Sequence, residues 1–251
     1  MEVTLRYGRQ DYRADFSKPL DISIPLKQGL ETVNCFYAPP AEFEPLVSGD
    51  FTGSVAAGAA VNFYNVRINP HGNGTHTECV GHITRKPYTI NQCLKSFNFI
   101  GKLVSIFPTK TVKGDRVILE GQLREVFQKG EAVALIIRTL PNDALKLRSN
   151  YSGANPPYLD HHGVAYLVEC GVRHLLVDLP SVDREEDGGR LAAHRAFWQY
   201  PGPLREDCTI SELVYVDNAI RDGYYLLNLQ IASFELDVSP SKPVLYQLQP
   251  I

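Results

Sequence analysis

The sequence predicts a mixed α/β fold with a strand-rich core, and three observations carry that prediction. Continuous apolar runs in the middle of the chain, Ala132 to Ile137 (AVALII) and His174 to Leu179 (HLLVDL), have the composition of strands buried on both faces. Stretches with helical spacing separate them. Strand-like runs then dominate both ends of the chain.

Taken in order, Leu20 to Leu26 (LDISIPL) alternates like a half-buried strand. Cys35 to Gly58 is punctuated by Pro and Gly and reads as a long irregular excursion. Loops of that length usually serve as lids or meet a second subunit. Ala60 to Ile68 (AVNFYNVRI) alternates again and leads into Asn69-Pro70-His71. Lys102 to Phe107 is strand-like, and Leu119, Leu123, Val126 and Phe127 share one face of a helix. Val164, Leu167 and Val168 predict a second helix ending near Gly171, and Tyr224 to Ile231 and Val244 to Leu248 return to strands. No repeat, low-complexity stretch or linker divides the 251 residues, so a single domain spanning 1–251 is expected.

Composition narrows the function. With 44% hydrophobic and 21% charged residues the chain reads as an ordinary soluble globular protein. A net charge of -3 without any basic cluster leaves no footprint for nucleic acid. The start, Met1-Glu-Val-Thr-Leu-Arg-Tyr, lacks the pattern of a signal peptide, and no apolar run is long enough to cross a bilayer. Cys35, Cys79, Cys93, Cys170 and Cys208 are odd in number and widely spaced, with no CxxC pair. They argue against a disulfide framework and for a reducing cytoplasm.

Chemistry concentrates in Asn69 to Ile83, NPHGNGTHTECVGHI. Three of the seven histidines fall within these residues, with one carboxylate among them. In an extended segment His76 and Glu78 share a face, and Gly81 lets the chain turn before His82. Gly72 and Gly74 would let the backbone bring His71 beside His76. Imidazoles with a carboxylate suit zinc, manganese or iron(II), whereas calcium and magnesium prefer shells of oxygen. The bland alternative is that each histidine is a hydrogen-bonded core residue, which holds for most lone histidines but less readily for a tight cluster.

Gly74-Thr75-His76-Thr77-Glu78-Cys79-Val80-Gly81-His82 resembles the H-x-G-T-H-x-D-x-P-x-H pattern of the metal-dependent cyclase family, which includes bacterial arylformamidases and isatin hydrolases. Asp21-Ile22-Ser23 resembles that family's N-terminal D-L-S strand, and Gly171 to Asp183 its helix-to-strand segment ending in S-x-D. His194, and Glu212 within Ile210-Ser-Glu-Leu, match its distal ligand pair, and Pro240-Ser-Lys-Pro243 its closing P-x-R segment. Three departures stand out. The family's first His position is Gly72, so His71 can serve only if the backbone bulges over Gly72 to Gly74. Glu78 is one methylene longer than the usual Asp, and Cys79-Val80-Gly81 replaces the usual A-P-x.

The resemblance implies a swivelling β/β/α architecture and a homodimer or larger assembly. It also implies a divalent metal, Zn or Mn, two per chain. His71, His76 and Glu78 would hold one ion, and Glu78, His194 and Glu212 the other. His82 would move the proton. The implied reaction is hydrolysis of a C–N bond in a small amide, aryl formamide or lactam. Two alternatives stay open: an inactive relative that binds metal or a small acid, and a hydrolase built on Cys79, whose thiol sits among histidines. No G-x-S-x-G supports a serine hydrolase. Ser181 reads as a turn residue, with Asp183 orienting a neighbouring ligand. Phe197 and Trp198 could line an aromatic pocket or pack in the core. Arg190 and Arg195 could meet a substrate carboxylate or simply be solvated. His161 and His162, after the N-cap candidate Asp160, read as surface residues, and His174 as the start of a strand.

Overall fold

The computed structural model describes residues 1–251. Its main sheet is made of β1 (Leu20–Asp21), β2 (His76–Glu78), β3 (Asn98–Ile106), β4 (Ala134–Thr139), β5 (His174–Val177), β6 (Thr209–Glu212), β7 (Gly223–Ile231) and β8 (Val238–Gln247). The spatial order is β7-β3-β4-β5-β6-β2-β8-β1, and a further β7–β8 pairing closes seven of these strands into a barrel. β3, β4, β5 and β6 run parallel to one another, while β2, β7 and β8 join antiparallel to their neighbours. The α/β class holds, and closing the sheet removes its exposed edges.

Alternation along the strands feeds two cores. Leu103, Ile136, Leu176, Leu227 and Leu245 pack together inside the barrel. Val104, Leu135, Ile137, Leu175 and Val177 point outward into a larger cluster. Helices α1 (Pro70–Asn73), α2 (Ile90–Cys93), α3 (Glu120–Val126), α4 (His161–Glu169) and α5 (Ala192–Trp198) complete the set. Leu123 from α3, Val164 and Leu167 from α4, and Phe197 and Trp198 from α5 cover the outer cluster. Phe197 and Trp198 are therefore core residues, and the Trp198 indole donates to the Cys208 carbonyl at 2.8 Å.

Three local expectations shift. The strand over Leu20 to Leu26 is reduced to Leu20–Asp21 and a bridge from Ser23 to Val214. The cause is the Asp21 carboxylate, which accepts from both the backbone N–H and the hydroxyl of Ser23 and so bends the chain. Leu119 caps α3 rather than joining its buried face. The Cys35–Gly58 excursion holds paired strands: Glu42–Pro45 pairs with Tyr64–Arg67, and Val47–Ser48 with Phe51–Thr52. Asp160 does cap α4, and His161 and His162 are exposed as expected. No helix is long and apolar enough to cross a membrane.

Candidate metal centre

Strand register brings the site together on the outer face of the barrel. His76 lies opposite Glu212 across the β2–β6 pairing, and the His76 Nε2 is 3.3 Å from Glu212 Oε2. Thr77 points the other way and bonds Ser211 Oγ at 2.7 Å, so the polar pair on the reverse face pins the register. His76 Nδ1 lies 2.9 Å from the Gly74 carbonyl, which leaves Nε2 directed at the cluster. A backbone N–H from Val182 holds Glu212 Oε1 at 2.9 Å.

Glu78 occupies the centre and is fully buried. Its Oε1 is 3.0 Å from His194 Nε2, and its Oε2 is 3.3 Å from His71 Nδ1 and 3.6 Å from His82 Nδ1. His194 arrives on α5, whose start is capped by Asp183: that carboxylate accepts from the backbone N–H groups of Ala193 and His194 and meets His194 Nδ1 at 2.6 Å. A carboxylate on the far nitrogen of a ligating imidazole fixes its tautomer and orientation. The role expected of Asp183 thus has the geometry it requires.

His71 reaches the cluster by a different route from the expected bulge. Pro70–Asn73 forms one helical turn, started by Pro70 and capped by the Asn69 side chain, which accepts from Gly72 N–H. That turn rotates His71 inward. A side chain at position 72 would put its Cβ 2.3 Å from Ala38 Cβ and 3.1 Å from the Cys35 carbonyl. Histidine therefore cannot stand at the family's usual position, and its neighbour takes the place. Gly81 is equally constrained, because a Cβ there would lie 2.1 Å from the Tyr88 carbonyl oxygen. This close approach lets the turn over Val80–Ile83 deliver His82.

Asp237 is the member that sequence reasoning missed. It immediately precedes β8, which pairs with β2 so that Val238 faces Glu78. Its Oδ2 sits 3.1 Å from His71 Nε2 and 3.3 Å from His82 Nδ1. Four imidazoles and four carboxylates thus meet, with ring centroids 5.3 Å apart for His71 and His76, 4.5 Å for His71 and His82, and 5.3 Å for His82 and His194.

The charges respond to this crowding. Burial pushes the Glu78 carboxyl up, but His82 and His194 more than offset it and hold it well below the usual carboxylate range. Burial lowers His194, yet Glu78 and Asp183 carry it well above an ordinary histidine. Burial acts the same way on His71, which Asp237 and Glu78 raise to about 10. Hydrogen bonds from His71 and His82 hold Asp237 below its ordinary value. The carboxylates demand positive charge, and imidazolium protons supply it; a divalent cation would displace those protons on binding.

The donor atoms fit such a cation. His76 Nε2 and Glu78 Oε2 are buried without a hydrogen-bond partner, a costly condition unless something else engages them. His71, His76 and Glu78 offer ligand atoms within 4.8 Å of one another, and so do Glu78, His82 and His194. The mixed nitrogen and oxygen set suits a transition metal.

The same geometry removes the cysteine alternative. Cys79 follows Glu78 by one residue in extended backbone, so it faces the barrel interior with Cys93 and Ile90. Contact with the Cys93 thiol, then burial, raises its pKa. No thiolate faces the histidines.

A cavity of about 200 Å³ opens over the cluster, lined by His71, His82, Ser181, Asp183, Arg184, His194 and Glu212, with Phe36 also lining it. Phe36 is 42% exposed and its backbone is left-handed, with φ of 56°. Such strain in a bulky residue is uncommon and often marks a functional position. Arg190 and Arg195 do not line this cavity. Arg195 bonds the Arg190 carbonyl and stacks over Tyr200, while Arg184 takes the place by the site.

Comparison with known proteins agrees with this geometry. The Cyclase family model matches residues 20–184. A kynurenine formamidase from Bacillus anthracis is 26% identical over 235 residues, covering 91% of this chain and 97% of that one. A solved structure described as a potential metal-dependent hydrolase with cyclase activity superposes with a TM-score of 0.66 at 13% identity, over 93% of this chain and 99% of the other. Isatin hydrolase A from Ralstonia solanacearum gives 0.64 at 13% identity, over 91% of each chain. At these identities the superpositions establish a shared fold.

Proposed function

The chain belongs to the Cyclase family, and from that premise we propose a metal-dependent hydrolase that cleaves the C–N bond of a small amide, aryl formamide or lactam. The observation that carries this reading is the pair of unpartnered buried atoms, His76 Nε2 and Glu78 Oε2, inside a cluster of imidazoles and carboxylates. His71, His76 and Glu78 would hold one ion, and Glu78, His194 and Glu212 a second, with Zn or Mn the metals that suit these donors. A cation held there would supply Lewis acidity and would lower the pKa of water from near 16 to about 7.

The remaining chemistry belongs to the side chains. The polar contacts of His82 run through Nδ1, to Glu78 and Asp237, which leaves Nε2 to the cavity. His82 takes the proton from the attacking water and delivers it to the leaving nitrogen. Asp183 and the Val182 N–H keep His194 and Glu212 from swinging away. Phe36, presented at the cavity, offers an apolar surface to an aryl group, and Ser181 and Arg184 offer polar contacts to the rest of a small molecule. The 251 residues act as one domain in this reading, since β1 near the start of the chain pairs with β8 near its end in the one sheet.

The exposed apolar residues of the excursion and the strand after it support assembly as a homodimer or larger. Val47, Phe51, Val55, Phe63, Tyr64 and Val66 are all exposed, and the two short two-stranded ribbons in and beside which they lie bury little on their own. A second copy of the chain would cover it. The five free cysteines fit a reducing cytoplasm.

The test is direct. Protein stripped with chelator is expected to hydrolyse N-formylkynurenine or a simpler aryl formamide at background rate, and to regain turnover on addition of Zn or Mn. Its thermal midpoint should fall on stripping and recover on reloading, because ligands from distant segments share the ion. Full activity after exhaustive chelation would sink the reading.

A further inference from the structure

We propose that Asp237 is a positioning residue that sets the tautomers of two histidines at once, presenting His71 Nδ1 to the metal and His82 Nε2 to the substrate. The inference rests on the hydrolase reading above and assigns a role to a residue outside its ligand set.

The two nitrogens of an imidazole point in roughly opposite directions, and in the neutral ring one carries the proton while the other carries the lone pair. His71 directs Nδ1 at Glu78 Oε2, 3.3 Å away, and Nε2 at Asp237 Oδ2, 3.1 Å away. A carboxylate can only accept. When a cation replaces the proton between Nδ1 and Glu78, Nε2 of His71 keeps its proton on Asp237 and Nδ1 is the atom that would bind the cation. His82 makes the reverse arrangement. Its Nδ1 lies 3.3 Å from the same Asp237 oxygen, so Nδ1–H donates and the lone pair sits on Nε2, facing the cavity. One oxygen thus makes the first ring a ligand and the second a base.

The fold holds Asp237 where this requires. Its backbone carbonyl accepts from Cys79 N–H at 2.9 Å, one residue beyond Glu78, and β8 begins at the next position. The side chain is 31% exposed, so truncation leaves no buried cavity. Asp183 does the same for His194 from the opposite side of the cluster. The centre is thereby flanked by two carboxylates outside its ligand set, Asp237 on His71 and His82 and Asp183 on His194.

The loss of such an outer carboxylate typically weakens metal binding about 10- to 100-fold. Asp237→Ala and Asp237→Asn should be titrated with Zn or Mn against a chromophoric chelator, beside wild type, with metal counted at saturation. Asp237→Ala is expected to bind about 10- to 100-fold more weakly but to reach the wild-type number of ions. Asp237→Asn keeps an acceptor oxygen and should recover most of that affinity. Circular dichroism of both variants checks the fold. Wild-type affinity in Asp237→Ala would overturn the proposal. So would the loss of an ion at saturation, which would make Asp237 a ligand, or equal weakening in both variants. Wild-type protein that takes up no metal would refute the hydrolase reading instead, so the two failures are distinct.

Discussion

Glu78→Gln is expected to lose bound metal and at least about 10³-fold in kcat/KM, equivalent to about 4 kcal/mol of transition-state stabilisation. Glu78 touches His71, His82 and His194 and lies between the two ligand groups. An amide of the same shape keeps the volume but removes the charge that both ions would share. The protonated histidines around it would then stand uncompensated in a buried site, so the variant should also unfold at a lower temperature. Elemental analysis of the purified variant, with a melting curve and an aryl-formamide assay, checks all three. Full metal occupancy in active Glu78→Gln would remove Glu78 from the centre.

His82→Gln should behave differently. A positioned proton carrier contributes about 10²–10⁴ in rate, so kcat should fall by that factor while metal content and KM change little. The separation of the two outcomes matters more than either alone. If His82→Gln also empties the site, His82 is a ligand, an arrangement the grouping of Glu78, His82 and His194 allows. Matched metal analysis and steady-state kinetics on the one preparation decide between these roles.

How much of this was readable from the residues follows from how far apart the partners lie in the chain. His76, Glu78 and His82 occupy one short segment, so spacing and alternation sufficed to group them. His194 and Glu212 were found only because their order along the chain resembles a family pattern. Asp183 was readable as an orienting group from its place after the β5 run. Asp237 was not, because its contact with His71 spans 166 positions and depends on the register of β8 against β2. No local pattern marks an aspartate before a strand as part of a site. Phe36 was hidden for a different reason: it and Tyr37, both left-handed, are the central residues of the turn closed by Ala38 N–H on the Cys35 carbonyl, and neither is a residue type that signals such a turn.

The fold divides along the same line. The buried runs that became β4 and β5 announced themselves by composition, and the helices over Glu120–Val126 and His161–Glu169 by spacing. Barrel closure did not, since the β7–β8 and β8–β2 pairings join antiparallel strands whose alternation looks the same in an open sheet. The helical turn at Pro70–Asn73 was also opaque. Asn69 and Pro70 cap and start it locally, but its close seat against Ala38, which only a glycine at position 72 permits, joins the irregular excursion to the motif in a way that neither segment signals by itself.

Diffraction from metal-loaded crystals, collected on both sides of the Zn or Mn absorption edge, measures the central claim without recourse to any substrate. Anomalous peaks within bonding distance of Glu78, flanked by His71 and His76 on one side and by His194 and Glu212 on the other, are the predicted result. Peaks only at exposed histidines such as His161 and His162, with none against Glu78, would contradict it.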